Sequence, residues 1–346
     1  MQSVLGAENQ TAQRNRTNRR AVTVTILVVL AAAVLYLGAQ KKFEPTQYLQ
    51  LAIDGLSAGS IYALIGLGFV VIHSVTGIIN FAQGEFVMLG AMLSVTFYNV
   101  DLSLPPALNL IVAILLAVAI TTVVGIVMER VAIYPARRSP IVALIIITIG
   151  ADIAIRASAQ LIWGTRPYFL PAFTTLDLAD LTIHLGDIIV KAQYLWIWGV
   201  GAIILTALFF FFERTLMGKA LRACAINRRA AQLMGISPSR MSMLSFAIAA
   251  AIGALGGVLL APATRPTYDM GLTLGLKGFI AAIMGGMVSL PGAVVGGLFL
   301  GMIENIGAGV TSAGYKDIIA FVILILILLF SPHGILGGGE KGVEEG

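Results

Sequence analysis

The sequence predicts an all-α, polytopic membrane protein: a helix bundle of eight to ten transmembrane helices, with ten favoured. Three observations carry this. Of 346 residues, 58% are hydrophobic and only 11% are charged, whereas a soluble domain has about a quarter of its residues charged. So few charges cannot cover a water-facing surface, and the mean hydropathy is +0.94. Apolar runs close to the roughly 20 residues that a helix needs to cross the bilayer core recur along the chain. Glycine, commoner in transmembrane helices than in soluble ones, numbers 38.

The chain begins "MQSVLGAENQTAQRNRTNRR", polar and basic throughout. A signal peptide has a shorter basic region and a small-residue cleavage site, so 1–20 reads as a basic cytoplasmic tail before an uncleaved first helix. The expected spans are 21–40, 47–72, 84–100, 107–128, 140–163, 192–212, 241–262, 276–289, 291–310 and 316–331. The third, eighth and tenth are short, as tilted, broken or partly re-entrant helices are. Together they make one transmembrane domain, 21–335, with no sizeable soluble domain. The glycine-rich end, 336–346, reads as a flexible tail.

Lysine and arginine assign the sides. Arg14, Arg16, Arg19 and Arg20 precede the first span; Arg130, Arg137 and Arg138 follow the fourth; Arg214, Lys219, Arg222, Arg228, Arg229 and Arg240 follow the sixth. Ten spans put all three groups and both termini on one side, which the positive-inside rule makes cytoplasmic. Lys41 and Lys42 depart from the pattern. The net charge of +5 therefore reflects membrane topology and does not point to nucleic acid. One cysteine, Cys224, excludes an intramolecular disulfide.

Two connections have character. Gly164 to Gln193, the longest outer one, has room for a small hairpin, and "SLPG", Ser289 to Gly292, is a tight turn on the inner side. Glycines stand four apart at Gly55/Gly59, Gly253/Gly257, Gly292/Gly296 and Gly297/Gly301. That spacing lets helix backbones approach closely in lipid.

The chemistry of an enzyme is missing from the pattern. There is no HExxH, one cysteine cannot make a zinc site, and His73, His184 and His333 are dispersed. "GLTLGLKGF", Gly271 to Phe279, lacks the GxxxxGK[ST] spacing of a nucleotide-binding loop. No catalytic residue, metal site or cofactor is expected, and any ATP that drives the chain would be hydrolysed by another polypeptide. Charges inside spans are costly and usually face a bundle interior or a watery path. Asp54 lies near the outer end of the second span. Asp152 and Arg156, four apart in the fifth, share a helix face and can pair. Glu304 and Asn305 lie in the ninth, and Glu304 has no basic neighbour at helical spacing. These acids are too scattered for an obvious proton relay, which leaves a stand-alone secondary carrier or channel as the weaker alternative.

"GIINFAQGEF", Gly77 to Phe86, crowds Asn80, Gln83 and Glu85 into the inner junction of the second and third spans. In one reading Glu85 complements the dipole of a helix N-terminus while Asn80 and Gln83 satisfy freed backbone groups. In the other they line the cytoplasmic gate of a path, together with Glu304 and Asn305.

The inner loop 213–240 carries a short amphipathic run that ends at Gly235, as a helix C-cap glycine does, with Pro238 just beyond. A helix lying on lipid and one docking into a partner's groove both fit. "RRAAQLMGISPSRMSMLSFAIAAAIGALGGVLLAP" resembles the segment by which permeases of ABC importers engage their ATPases. "GIINFAQGEFVMLGA", "LKGFIAAIMGGMVSLPGAVVGGLFLGMIEN" and "LFSPHGILG" resemble, in order, three signatures of the branched-chain amino acid importer permeases and their relatives for amides and urea. Many members have His at Gln83, and a basic residue at Ser331; the basic N-terminal extension lies outside the family pattern.

That resemblance implies a multi-pass permease of the bacterial cytoplasmic membrane. It also implies partners: two ABC ATPase subunits, a second permease chain (a relative or another copy) and an external substrate-binding protein. The residues it would couple to the ATPase are Arg222, Arg228, Arg229, Ala230, Ala231 and Gly235.

Overall fold

The computed structural model describes residues 42–100, 103–173 and 182–330, with Tyr36, Ala39, Gln40 and Gly334. The basic tail, nearly all of the expected span 21–40, and the C-terminal tail lie outside the described residues. In chain order the helices are α1 (Pro45–Thr76), α2 (Gln83–Tyr98), α3 (Pro106–Met128), α4 (Ile141–Trp163), α5 (Ala192–Arg214), α6 (Leu216–Ile226), α7 (Arg228–Leu233), α8 (Pro238–Leu260), α9 (Met270–Gly285), α10 (Leu290–Val310) and α11 (Lys316–Phe330). The connection between α4 and α5 holds an antiparallel hairpin, β1 (Thr182–Leu185) and β2 (Ile188–Lys191), where the sequence has room for one.

Among the described residues six helices, α1, α3, α4, α5, α8 and α10, are long and apolar enough to cross a membrane. The three spans expected to be short are short: α2 and α9 have 16 residues each and α11 has 15.

The bundle is built around α1. Its most apolar stretch is 83% buried, against 28% for α3 with its π-helical extension, 17% for α4 and 22% for α5. α1 packs against α10, α8 and α9 on most of its circumference and touches α5 as well, so an apolar side chain is favourable on every face. The outer helices leave Leu115, Val123, Ile146, Leu161, Ile203 and Phe209 uncovered. A helix apolar all round with one side open is what lipid contact requires.

The glycine spacings are contact surfaces. Gly55 and Gly59 of α1 meet Gly301 and Gly297 of α10: a Cβ on Gly59 would stand 2.8 Å from the Gly297 carbonyl oxygen and from Leu298 Cα, and one on Gly55 would stand 2.7 Å from Met302 Cα. Gly253 and Gly257 of α8 admit Phe86 and Val87 of α2, and Gly292 and Gly296 of α10 admit Gly285 and Ala281 of α9. Lipid supplies no hydrophobic drive between helices, so van der Waals contact at this distance is the main source of association.

The eighth expected span shifts, the inner-loop run divides, and a π turn follows α3. The eighth span starts at Met270 instead of 276 and stops at Gly285 instead of 289. Gly271 and Gly275 make its first turns poor helix formers, and packing against Gly84 of α2 holds them helical. Gly286, at φ +93°, ends the helix, and the Ser289 side chain then caps α10 by accepting from the Gly292 N–H. The single run in the inner loop is two helices, because Asn227 is extended (φ −153°) and its side chain caps α7 by accepting from the Ala230 N–H. After α3 the chain winds one π turn, Glu129–Ile133, closed by the Tyr134 N–H on the Glu129 carbonyl at 2.7 Å. Arg130 and Arg137 then lie over the Tyr134 ring, 4.4 and 4.3 Å from its centroid.

Replacing Gly59 by leucine is expected to separate α1 from α10 and to destabilise the chain by about 3 kcal/mol, the upper end of the usual cost of overpacking. Thermal unfolding in detergent checks this, with the exposed-face variant Ile203→Ala as the near-neutral control.

Candidate functional site

The polar junction after α1 is built by a chain reversal. α1 ends where Gly77 enters the left-handed region (φ 70°) and its N–H reaches the His73 carbonyl at 2.7 Å. Thr76 donates to the Ile72 carbonyl at 2.6 Å and accepts from the Ile78 N–H at 3.2 Å. Residues 78–82 then climb back into the bundle. The Gln83 side chain lies against Gly68, eight residues or about 12 Å before the end of α1 at 1.5 Å per residue.

This return is non-helical, and side chains of the return and of α4 bond several of the freed backbone groups from inside the protein, as backbone at membrane depth requires. Asn80 Oδ1 accepts from the Ala82 N–H at 3.2 Å, and Gln83 Nε2 donates to the Ala249 carbonyl of α8 at 3.0 Å. The Thr148 hydroxyl of α4 accepts from the Phe81 N–H at 3.3 Å and lies 3.3 Å from the Ile79 carbonyl.

A second return, 261–269, leads from the end of α8 to α9. The N-terminal turns of α2 and α9 consequently meet inside the bundle. Gly84 lies directly on the backbone of Gly271 and Gly275, and a Cβ on Gly271 would stand 2.7 Å from Glu85 Oε1 and 2.8 Å from Oε2. Both helices direct the positive ends of their dipoles toward this point, where the Glu85 carboxyl lies. Asn80, Gln83 and Glu85 are all fully buried. The charges facing Glu85 are Asp152, Arg156 and Asp269. The expected pair within α4 is present: Arg156 donates to Asp152 Oδ2 at 3.1 Å.

Glu304 belongs elsewhere: without a basic neighbour at helical spacing on its own helix, it takes its basic partner from another. Lys277 of α9 stands 2.7 Å from its Oε1 and 2.8 Å from Asp317 of α11, with Lys316 3.7 Å from Glu304 and the Tyr62 hydroxyl of α1 donating to it at 3.2 Å. Asn305 only donates back to Gly301 on its own helix, at 2.8 Å. The five residues expected around one gate thus fall into two places, which share no partner among the described residues. The sequence does carry a signal for Lys277, a lone lysine in the apolar run "GLTLGLKGF". The partners on α9 and α11 come from helices whose pairing periodicity does not reveal.

The α6–α7 unit sits at the end of α1. Arg228 donates through Nε and a terminal nitrogen to the Val75 carbonyl, at 3.0 and 2.7 Å. That carbonyl is one of the last-turn acceptors that a helix leaves unsatisfied. Arg222 pairs with Glu213 at 2.5 Å. Ala231 is buried, whereas Arg229, Ala230 and Gly235 are exposed. Gly235 (φ 83°) closes α7: its N–H reaches the Gln232 carbonyl at 3.0 Å, and the Ile236 N–H reaches the Ala231 carbonyl at 3.0 Å, the paired bonds of a Schellman cap. The apolar run of this unit turns outward: Ile226, Leu233 and Met234, with Leu216, which lies outside the run expected from sequence, are each more than 80% exposed at this end. Cys224 faces inward, and burial pushes its thiol up. Between α1, α5, α6 and α10 lies a cavity of about 980 Å³, walled by Leu67, Val71, Leu208, Phe212 and Val294.

Lys277→Met is expected to strand the buried Glu304 charge and to cost about 3–5 kcal/mol, whereas Lys277→Met with Glu304→Gln removes both charges and recovers most of it. Thermal unfolding of the two variants checks this double-mutant relation.

Residues 51–328 match the family model described as the permease component of branched-chain amino acid transport systems. The branched-chain amino acid permease protein BraD of Pseudomonas aeruginosa is 34% identical over 303 residues, 86% of this chain and 98% of BraD. LivH of Salmonella typhimurium is 37% identical over 302 residues, and LivH of Escherichia coli 36% over 298; each alignment covers 85% of this chain and 96% of the relative. Relatives of that likeness are transport components, not enzymes. The chain therefore belongs to the family of permease components of branched-chain amino acid transport systems, as a multi-pass membrane protein.

Proposed function

We propose that this chain is a membrane-spanning subunit of an ATP-driven importer for branched-chain amino acids or closely related small amino acids or amides. It would work in the bacterial cytoplasmic membrane with two ATPase subunits, a second permease chain and an external substrate-binding protein. The observation that carries the coupling role is the α6–α7 unit: four large apolar side chains turned outward on a short helical pair that Arg228 ties to the last turn of α1. Apolar anchors in a charged surround are what a partner's groove recognises. Arg222, Arg228, Arg229, Ala230, Ala231 and Gly235 form the frame of this unit.

The mechanism follows from the connections. Closure of an ATPase dimer displaces α6–α7 as a rigid lever. Arg228 passes that displacement to Val75, next to the Gly77 reversal, and the short return 78–82 passes it to the N-terminus of α2. Asn80, Gln83 and Glu85 then shift against α8 and α9, which opens the path alternately to either face. Glu304 acts differently, as the buried charge that docks α11 and α9 on α10.

Leu233→Asp is expected to weaken ATPase association about thirtyfold or more, the equivalent of losing a hot-spot residue worth about 2 kcal/mol. Uptake of labelled leucine should fall in proportion, while the permease stays monodisperse, because the Leu233 side chain is 88% exposed. Co-purification and uptake in proteoliposomes check both. Unchanged association would remove α6–α7 from the coupling role, and uptake by the permease without any ATPase would favour a secondary carrier instead.

A further inference from the structure

We propose that the turn between α3 and α4 is a binding site for an anionic membrane phospholipid, whose headgroup phosphate is held by the guanidinium groups of Arg130 and Arg137. The site is separate from the α6–α7 unit and from the meeting point of α2 and α9, and it does not depend on the function proposed above.

The turn holds those two groups in place. The π turn Glu129–Ile133 brings Arg130 over the Tyr134 ring, 4.4 Å from its centroid. The next turn, in which the Arg137 N–H meets the Tyr134 carbonyl at 3.4 Å, sets Arg137 4.3 Å from the same centroid. A guanidinium is planar and stacks on an aromatic face, so the ring orients both forks. Pro135 and Pro140, with φ locked by their rings, stiffen the backbone on either side of Arg137. Membrane sidedness asks only that basic residues be present. It gives no reason for two of them to be fixed on one tyrosine.

The positive charge there is largely uncompensated. Arg130, Arg137 and Arg138 are exposed, and among the described residues none of the three has a hydrogen bond or an ion pair. Glu129, the acid within this turn, is 2% exposed and faces Ser242 of α8, and it can offset one of the three charges. Each free fork carries five N–H donors in the geometry that takes a phosphate through two parallel bonds.

The surroundings select a lipid as the source of that phosphate. The turn joins α3 and α4, two helices with wide open flanks. Val131, Ile141 and Val142, next to the arginines along the chain, are exposed, and Val127 and Ile146 continue the apolar surface down the two helices. A dissolved anion makes no use of such a rim, whereas the acyl chains of a phospholipid cover it. Basic pockets at the ends of transmembrane helices take anionic headgroups in this way. A headgroup on Arg137 would brace the entry to α4, the helix whose Thr148 hydroxyl supports the return 78–82.

The test uses the full chain in detergent, equilibrated with equal amounts of phosphatidylglycerol and phosphatidylcholine, with bound lipid counted by native mass spectrometry. Phosphatidylglycerol is expected to be retained over phosphatidylcholine about tenfold or more, the effect of two arginines at an anionic lipid surface. Arg130→Gln with Arg137→Gln should remove most of that preference. Tyr134→Leu, which keeps every charge, should lower it severalfold because the forks are no longer fixed. Arg138→Gln, whose arginine is off the ring, should leave most of it. Absence of a preference in the native chain, or equal losses from Arg130→Gln, Arg137→Gln and Arg138→Gln made singly, overturns the site and leaves a diffuse charged surface. If Tyr134→Leu does not fold, the comparison of the three exposed arginines decides. Displacement of the lipid by excess inorganic phosphate would assign the arginines to a dissolved anion. Loss of ATPase co-purification from the double variant, with phosphatidylglycerol still retained, would assign them to an acidic partner surface. Either result overturns the lipid site.

Discussion

No water reaches the hydrocarbon core to take a backbone hydrogen bond, and every N–H and C=O there must be paired by the protein itself. Each non-helical stretch of this chain has to answer to that constraint. The return after α1 does so with the Thr76, Asn80, Gln83 and Thr148 side chains, each matched to a named backbone group. Two broken helices, α2 and α9, are the result, and their N-termini meet in the interior. An arrangement of that kind brings charge-favouring helix ends to a depth where continuous helices would present only side chains.

Close approach makes the reversal feasible. Gly84 on Gly271 and Gly275 brings α2 and α9 near enough for their first turns to interlock, and Gly55 and Gly59 on Gly301 and Gly297 do the same for α1 and α10. Contacts of this kind are short-ranged, since dispersion falls away within an ångström of the optimal distance. The bundle is therefore stiff along α1, while the outer helices α3, α4 and α5 keep open faces for lipid or a second chain. Buried charges follow the same division. The buried Glu304 and Lys277 pair across two helices, with exposed Asp317 and Lys316 of α11 beside them, whereas Glu85 and Asp152 have Arg156 as their nearby cation.

α6–α7 joins the interior to the surface at the end of α1. Arg228 ties it to the final turn of α1, just before the left-handed Gly77. In the proposed mechanism, motion at this surface would reach Gln83 and Glu85 through the short segment 77–82. Ala231 faces inward to anchor the unit, and the apolar residues that face outward, Leu233 and Met234, are those a partner would cover.

Sequence by itself determined the class and most of the helices, because hydropathy is a local quantity read along the chain. It also carried the Asp152–Arg156 pair and the glycine contacts, since both follow from a period of 3.6 within one helix. Only the tertiary structure decided that Glu304 has Lys277, that Asp152 faces Glu85, and that Gly271 belongs to a helix whose local propensity is poor. The physical reason is the same in each case. Which helices become neighbours depends on backbone approach and on the reversals at 77–82 and 261–269, and neither leaves a periodic trace in the amino-acid order.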